Sequence, residues 1–82
     1  MPLNFNKVHH YHGLEVHVAL SDLSTYMVTL DEAHPQCRWI ATRRGFTVGE
    51  CEVVRLGSGL LTIEAAVALC NEVVAERQEK AL

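Results

Sequence analysis

Thr62-Ile63-Glu64-Ala65-Ala66-Val67-Ala68-Leu69-Cys70-Asn71-Glu72-Val73-Val74-Ala75-Glu76-Arg77 is the stretch whose reading decides the fold. Wound at about 100° per residue, it gathers Ile63, Ala66, Val67, Leu69, Cys70, Val73 and Val74 on one broad face. Glu64, Asn71, Glu72, Gln78 and Glu79 point the other way, so the pattern predicts an amphipathic helix over 62–80 lying on a core. Val67 and Cys70 are expected at the centre of its apolar stripe. Thr62 is a competent N-cap, Glu64 lies in the first turn where the helix dipole favours an anion, and Gly57-Ser58-Gly59 ends the structure before it. Burying the apolar face contributes on the order of 10 kcal/mol before entropy is counted. No other segment reads as a long helix, so the preceding residues must supply the surface that this one covers.

They read as strands. Residues 1–13 form a leading segment with a histidine-rich end, Lys7-Val8-His9-His10-Tyr11-His12-Gly13. Leu14-Glu15-Val16-His17-Val18-Ala19-Leu20 alternates strictly, which predicts a strand with Leu14, Val16, Val18 and Leu20 inward and Glu15, His17 and Ala19 outward. Ser21-Asp22-Leu23-Ser24 is a turn, and Thr25-Tyr26-Met27-Val28-Thr29-Leu30 pairs back as a hairpin. Pro35 places 31–36 in a loop. Cys37-Arg38-Trp39-Ile40-Ala41-Thr42 is the third strand, Arg43-Arg44-Gly45 a turn with exposed arginines, and Phe46-Thr47-Val48 opens a fourth strand that runs through a bulge at Gly49 to Leu56. The expected fold is α+β: a single domain over 1–82, with a four-stranded antiparallel sheet over 14–56 covered on one face by a single C-terminal helix. The other face, with Glu15, His17, Thr25, Met27, Thr29, Arg38, Ile40 and Thr42, is left open. Met27 and Ile40 are more apolar than a wet face requires, which suits a partner or a second copy of the chain.

Composition bounds the function. Eighty-two residues build one modest core, and 49% hydrophobic with 21% charged residues is ordinary globular usage. A net charge of -3 is too mild for a nucleic-acid mimic and lacks the basic footprint of a protein held to DNA by charge. The leading residues lack a signal-peptide pattern, and no apolar run approaches the roughly 20 residues of a membrane span. Cys37, Cys51 and Cys70 are odd in number with no CxxC spacing, which fits reduced thiols in a cytoplasmic protein.

No catalytic constellation emerges. Gly57-Ser58-Gly59 is not a nucleophile elbow, nor does it carry the further glycines and lysine of a phosphate-binding loop. Asp22, Asp31 and Glu32 are loop carboxylates. His10 and His12 would share a face if extended and are the weak candidates for a metal, without a closing ligand pair. No cofactor is expected. The basic residues gather in the middle third, and Arg38, Arg43, Arg44 and Arg55 with Tyr26 and Met27 form the expected partner-binding set, since interfaces favour Arg, Tyr and Met. The same arginines, near Trp39 and Phe46, could instead meet a nucleic-acid strand.

Leu61-Thr62-Ile63-Glu64-Ala65-Ala66, following a small sheet, resembles the T-x-E-A helix start of HicB-like antitoxins. In size, mild acidity and lack of a catalytic motif the chain also resembles small phage-encoded anti-defence proteins of the anti-CRISPR type. The second resemblance implies stoichiometric inhibition by contact with a larger protein or ribonucleoprotein complex, and the first a small antitoxin-type regulator.

Overall fold

The computed structural model describes residues 2–8, 14–31 (the Asp31 side chain excepted) and 38–82. Five antiparallel strands, β1 (Asn6–Lys7), β2 (Leu14–Leu20), β3 (Ser24–Asp31), β4 (Trp39–Gly45) and β5 (Val53–Leu60), follow one another across a single meander sheet. The one α-helix among the described residues, α1 (Ile63–Glu76), follows β5 and packs on β3, β4 and β5. The α+β class and the single C-terminal helix agree with the sequence reading. The strand count rises from four to five because β1, only two residues long, pairs with β2 at Asn6↔Val18 and Lys7↔His17. A strand that short carries no periodicity to read.

α1 starts as expected: the Thr62 hydroxyl accepts a hydrogen bond from the Ala65 N–H at 3.1 Å. It ends earlier, at Glu76 rather than near residue 80. Gln78 takes a positive φ of 57°, the Glu79 N–H reaches the Val74 carbonyl at 3.0 Å and the Gln78 N–H reaches Ala75 at 3.2 Å. This is a Schellman cap with glutamine where glycine is usual, and it folds the last residues back onto the sheet. The tail then runs beside the β2–β3 turn. There Asp22 N–H bonds the Lys80 carbonyl at 2.8 Å, Leu82 N–H bonds the Leu20 carbonyl at 3.1 Å, and Ser21 bridges Ala81.

The centre of the helix stripe is Ala66, Cys70 and Val74, all buried; Val67 lies on its half-buried flank beside Ile63, Leu69 and Val73. Small residues here let the helix come close to the sheet. Opposite them stand Ala41 and Gly57, and a Cβ on Gly57 would lie 2.6 Å from the Leu69 Cδ2. Gly57-Ser58-Gly59 is therefore part of β5 and not a break. The register slips on either side of the Ala41↔Gly57 pair, so β4 and β5 pair with bulge-like irregularities there.

The facing of β2 is the reverse of the expectation. Ala19 pairs with Tyr26 and His17 with Val28, on the helix side, while Val16 and Val18 pair with Thr29 and Met27 on the open side. The helix reaches β3 to β5, and the space over β2 is filled by the leading segment. Leu3 is buried, Phe5 packs against the same core, and the Leu3 N–H bonds the Asn71 Oδ1 at 2.8 Å. A small Ala19 fits beneath them. Further along the same face, Glu15 and His17 stay half-buried and satisfy each other, with His17 Nε2 2.7 Å from Glu15 Oε2 and its ring 5.9 Å from that of Trp39.

Two further expectations are corrected in β4 and in the turn beyond it. Arg43-Arg44-Gly45 is strand, so Arg43 shares the inward parity of Trp39 and Ala41 and is only 5% exposed. Phe46-Thr47-Val48 does not open a strand; it leads into a 3-10 turn over Val48–Glu50 that contains Gly49. This turn sits directly on Gly45, where an added Cβ would lie 2.7 Å from Glu50 Cβ and 2.8 Å from its carbonyl oxygen. Gly45→Ala is expected to cost about 1–3 kcal/mol, as overpacking typically does. Urea denaturation measures it, and an unchanged midpoint would contradict the close approach.

Candidate functional site

Two regions carry the chemistry of this molecule. The first is a polar cluster around Glu79, whose side chain is fully buried. Its Oε1 accepts from the Ser21 hydroxyl at 2.6 Å and the Tyr26 hydroxyl at 2.8 Å. Its Oε2 accepts from the Ser24 hydroxyl at 3.1 Å, Arg77 Nε at 2.6 Å and Arg43 Nε at 3.3 Å. Burial alone would push this carboxyl up, but the bonds from Ser21, Arg77, Tyr26 and Ser24 outweigh it and hold the group at about 2. Tyr26 moves the other way, to about 12, through burial and then its bond to Glu79.

Both arginines extend beyond Glu79 to a second carboxylate. Arg43 Nη2 lies 3.1 Å from Glu50 Oε2, and Arg77 Nη2 lies 2.8 Å and 3.0 Å from the two Glu50 oxygens. Glu50 is partly exposed on its 3-10 turn, and its carboxyl is held below the usual range by the hydrogen bonds from Arg77 and Arg43. Beside it opens a cleft of about 500 Å³, with Val48, Val54, Leu56 and Val73 as apolar walls.

The cluster makes stability pH-dependent with a definite sign. Glu79 is lower in the folded chain, at about 2, than its ordinary 4.5. Its contribution is thus complete above about pH 4.5 and is lost as pH falls toward 2. At about 1.36 kcal/mol per pH unit, the loss is on the order of 3 kcal/mol. Thermal melts should be nearly level from pH 5 to 8 and fall steeply below 4.5, and Glu79→Gln should remove most of that fall. A wild-type profile flat down to pH 2.5 would contradict the cluster.

The second region is the open sheet face. Val16, Val18, Met27, Thr29, Ile40 and Thr42 lie on it half-buried, with Val53, 65% exposed, and Arg55 at the β5 side. A shallow groove runs between Met27, Thr29, Ile40, Thr42, Val53 and Arg55. The reversed facing of β2 enlarges this patch, because its two valines join Met27 and Ile40 instead of the core.

The expected partner-binding residues separate accordingly. Met27 and Arg55 are on the open face. Arg44 shares its parity and is exposed, with its Nε donating to the Cys51 carbonyl at 2.8 Å; Arg38 is exposed at the start of β4. Tyr26 and Arg43 are corrected: the first is completely buried and both face the helix side, where they serve Glu79. Sequence reasoning missed Glu79 and Glu50 altogether. One available signal was the parity of Arg43 with Trp39 and Ala41, since a buried guanidinium demands a carboxylate.

His9, His10 and His12, Tyr11 and Cys37 lie outside the described residues. Among the described residues no group of three or more His, Cys, Asp or Glu gathers to hold a metal ion, and no helix is long and apolar enough to cross a membrane. Cys70 is buried, and burial pushes its thiol up to about 11; Cys51 is exposed. Comparison with protein-family models, with curated proteins and with solved structures gives no match for this chain.

Proposed function

We propose that this chain is a non-enzymatic, cytoplasmic interaction protein whose open sheet face docks on a larger protein or ribonucleoprotein complex and blocks it stoichiometrically, as an inhibitor of a CRISPR-type defence machine would. The observation that carries the reading is the apolar character of that face. Val16, Val18, Met27, Ile40 and Val53 share it, although α1 and Leu3 already supply the core on the other side. An antiparallel sheet facing water normally shows polar residues there, and a contiguous apolar patch marks a contact surface. Arg44 and Arg55 at its margin, with Arg38 nearby, supply the guanidinium groups that protein interfaces favour.

The test is co-purification from the native cytoplasm with wild type, Ile40→Asp and Glu72→Ala. Ile40→Asp should lose at least nine-tenths of the captured partner while unfolding at a wild-type midpoint, and Glu72→Ala, on the solvent side of α1, should capture normally. Equal capture by Ile40→Asp would refute the assignment of this face. The alternative, a small nucleic-acid-binding or antitoxin-type regulator, draws on Arg44 and Arg55 sharing one face. Of the described aromatic residues near these arginines, Tyr26 and Trp39 face the helix, and only Phe46 is exposed, beside Arg44 and Thr25. A mobility shift that weakens steeply with salt would favour that alternative.

A further inference from the structure

The cleft beside Glu50 has a property that the docking face does not explain. Arg43 and Arg77 are both fixed through Nε to one oxygen of the buried Glu79, which is itself held by Ser21, Ser24 and Tyr26. That anchoring aims both Nη2 groups at a single point at the cleft wall, where the Glu50 carboxylate now lies. Two guanidinium groups converging on one carboxylate, with Val54, Leu56 and Val73 alongside, make a receptor for an acid with an apolar body. The cleft volume of about 500 Å³ falls in the range of small-molecule sites.

We infer that this cleft is a binding site for an amphipathic carboxylate, and that Glu50 is its internal occupant, displaced when ligand enters. The paired guanidinium groups select the ligand class: with Glu79 behind them and Glu52 elsewhere on the lining, Arg43 and Arg77 still converge on one point, where an entering carboxylate replaces the one that leaves. The occupant is suited to leave. The Glu50 side chain is 42% exposed on its three-residue 3-10 turn and is held there by Arg43 and Arg77. The turn itself is seated on Gly45, so the side chain swings while the backbone stays. Glu50 acts at high effective concentration, so ligand binds the wild type more weakly than a chain lacking it.

The test titrates wild type, Glu50→Ala, Glu50→Gln and the double variant Glu50→Ala/Arg77→Gln with sodium octanoate, followed by the Arg77 Nε–H and the Val54 and Val73 amide resonances. Octanol is the neutral control, and acetyl-Val-Glu-Val-amide presents the same carboxylate from a peptide. Glu50→Ala should bind octanoate or the peptide at least tenfold more tightly than wild type, and the double variant should lose that gain. Octanoate binding alone would identify a free amphipathic acid, and peptide binding alone an acidic side chain of another protein. Should Glu50→Ala fail to unfold cooperatively, Glu50→Gln and the wild-type titration carry the same comparison. Equal affinity with and without Glu50, octanol binding as well as octanoate, or no binding of either acid would overturn the inference.

Discussion

Glu79→Ala should lower the unfolding free energy by about 3–5 kcal/mol, the usual cost of removing one partner of a buried ion pair. The cost is high because five donors lose their acceptor together. The Ser21, Ser24 and Tyr26 hydroxyls lie in buried residues, as does the Arg43 guanidinium, and Arg77 loses the bond that turns it toward the sheet. A buried donor without a partner costs about 1–3 kcal/mol and a charged one more, against a total stability of roughly 5–15 kcal/mol for a small domain. Urea denaturation at pH 7 reads the loss directly. Glu79→Gln keeps the shape and one carbonyl acceptor and should lose less. If Glu79→Ala unfolds within about 0.5 kcal/mol of wild type, the cluster does not hold the tail on the sheet.

The second large effect belongs to the helix. Cys70→Asp would put a carboxylate at a fully buried position, between Ala66 and Val74 in the stripe that faces the sheet. An isolated ionised carboxylate is not tolerated in an apolar site: it takes up a proton or the structure yields. The only described helix supplies one layer of this core, so Cys70→Asp should abolish cooperative unfolding at pH 7. Glu72→Ala, on the exposed side of the same helix, should stay within about 0.5 kcal/mol of wild type. Denaturation followed by near-UV signal from Trp39, itself buried, distinguishes the two. A cooperative Cys70→Asp with an unfolded Glu72→Ala would reverse the register of α1.

The helix was legible in the sequence because a 3.6-residue repeat extends over fourteen residues with a cap at its start. Its end was not, because the chain reverses at Gln78 with no glycine to mark the turn, and extending the repeat puts Glu79 on the solvent side when the cap turns it inward. β2 alternates perfectly, yet alternation gives two faces without saying which is covered. Ala19 goes inside because it fits beneath the leading segment, and Val16 and Val18 go outside. Arg43-Arg44-Gly45 carries the composition of a turn, and the carboxylate that makes a buried arginine tolerable lies 36 residues away in sequence. Local patterns cannot register such a pair. Arg55 was expected only as a contact residue and reaches the open face by pairing with Thr42, but Met27 and Ile40 were legible there because each stands in a strand with the expected parity. Glu50 was not, because the turn that carries it was read as strand.

One sheet face covered by α1 and one open, apolar face is the claim on which the rest depends. Methyl relaxation in the presence of a soluble paramagnetic agent tests it most directly on the full chain. The methyls of Met27, Ile40 and Val53 should relax strongly, while those of Val28, Ala41, Ala66 and Val74 should be protected. Protection of Met27 and Ile40 in the free chain, with strong relaxation at Val28 and Ala41, would contradict it.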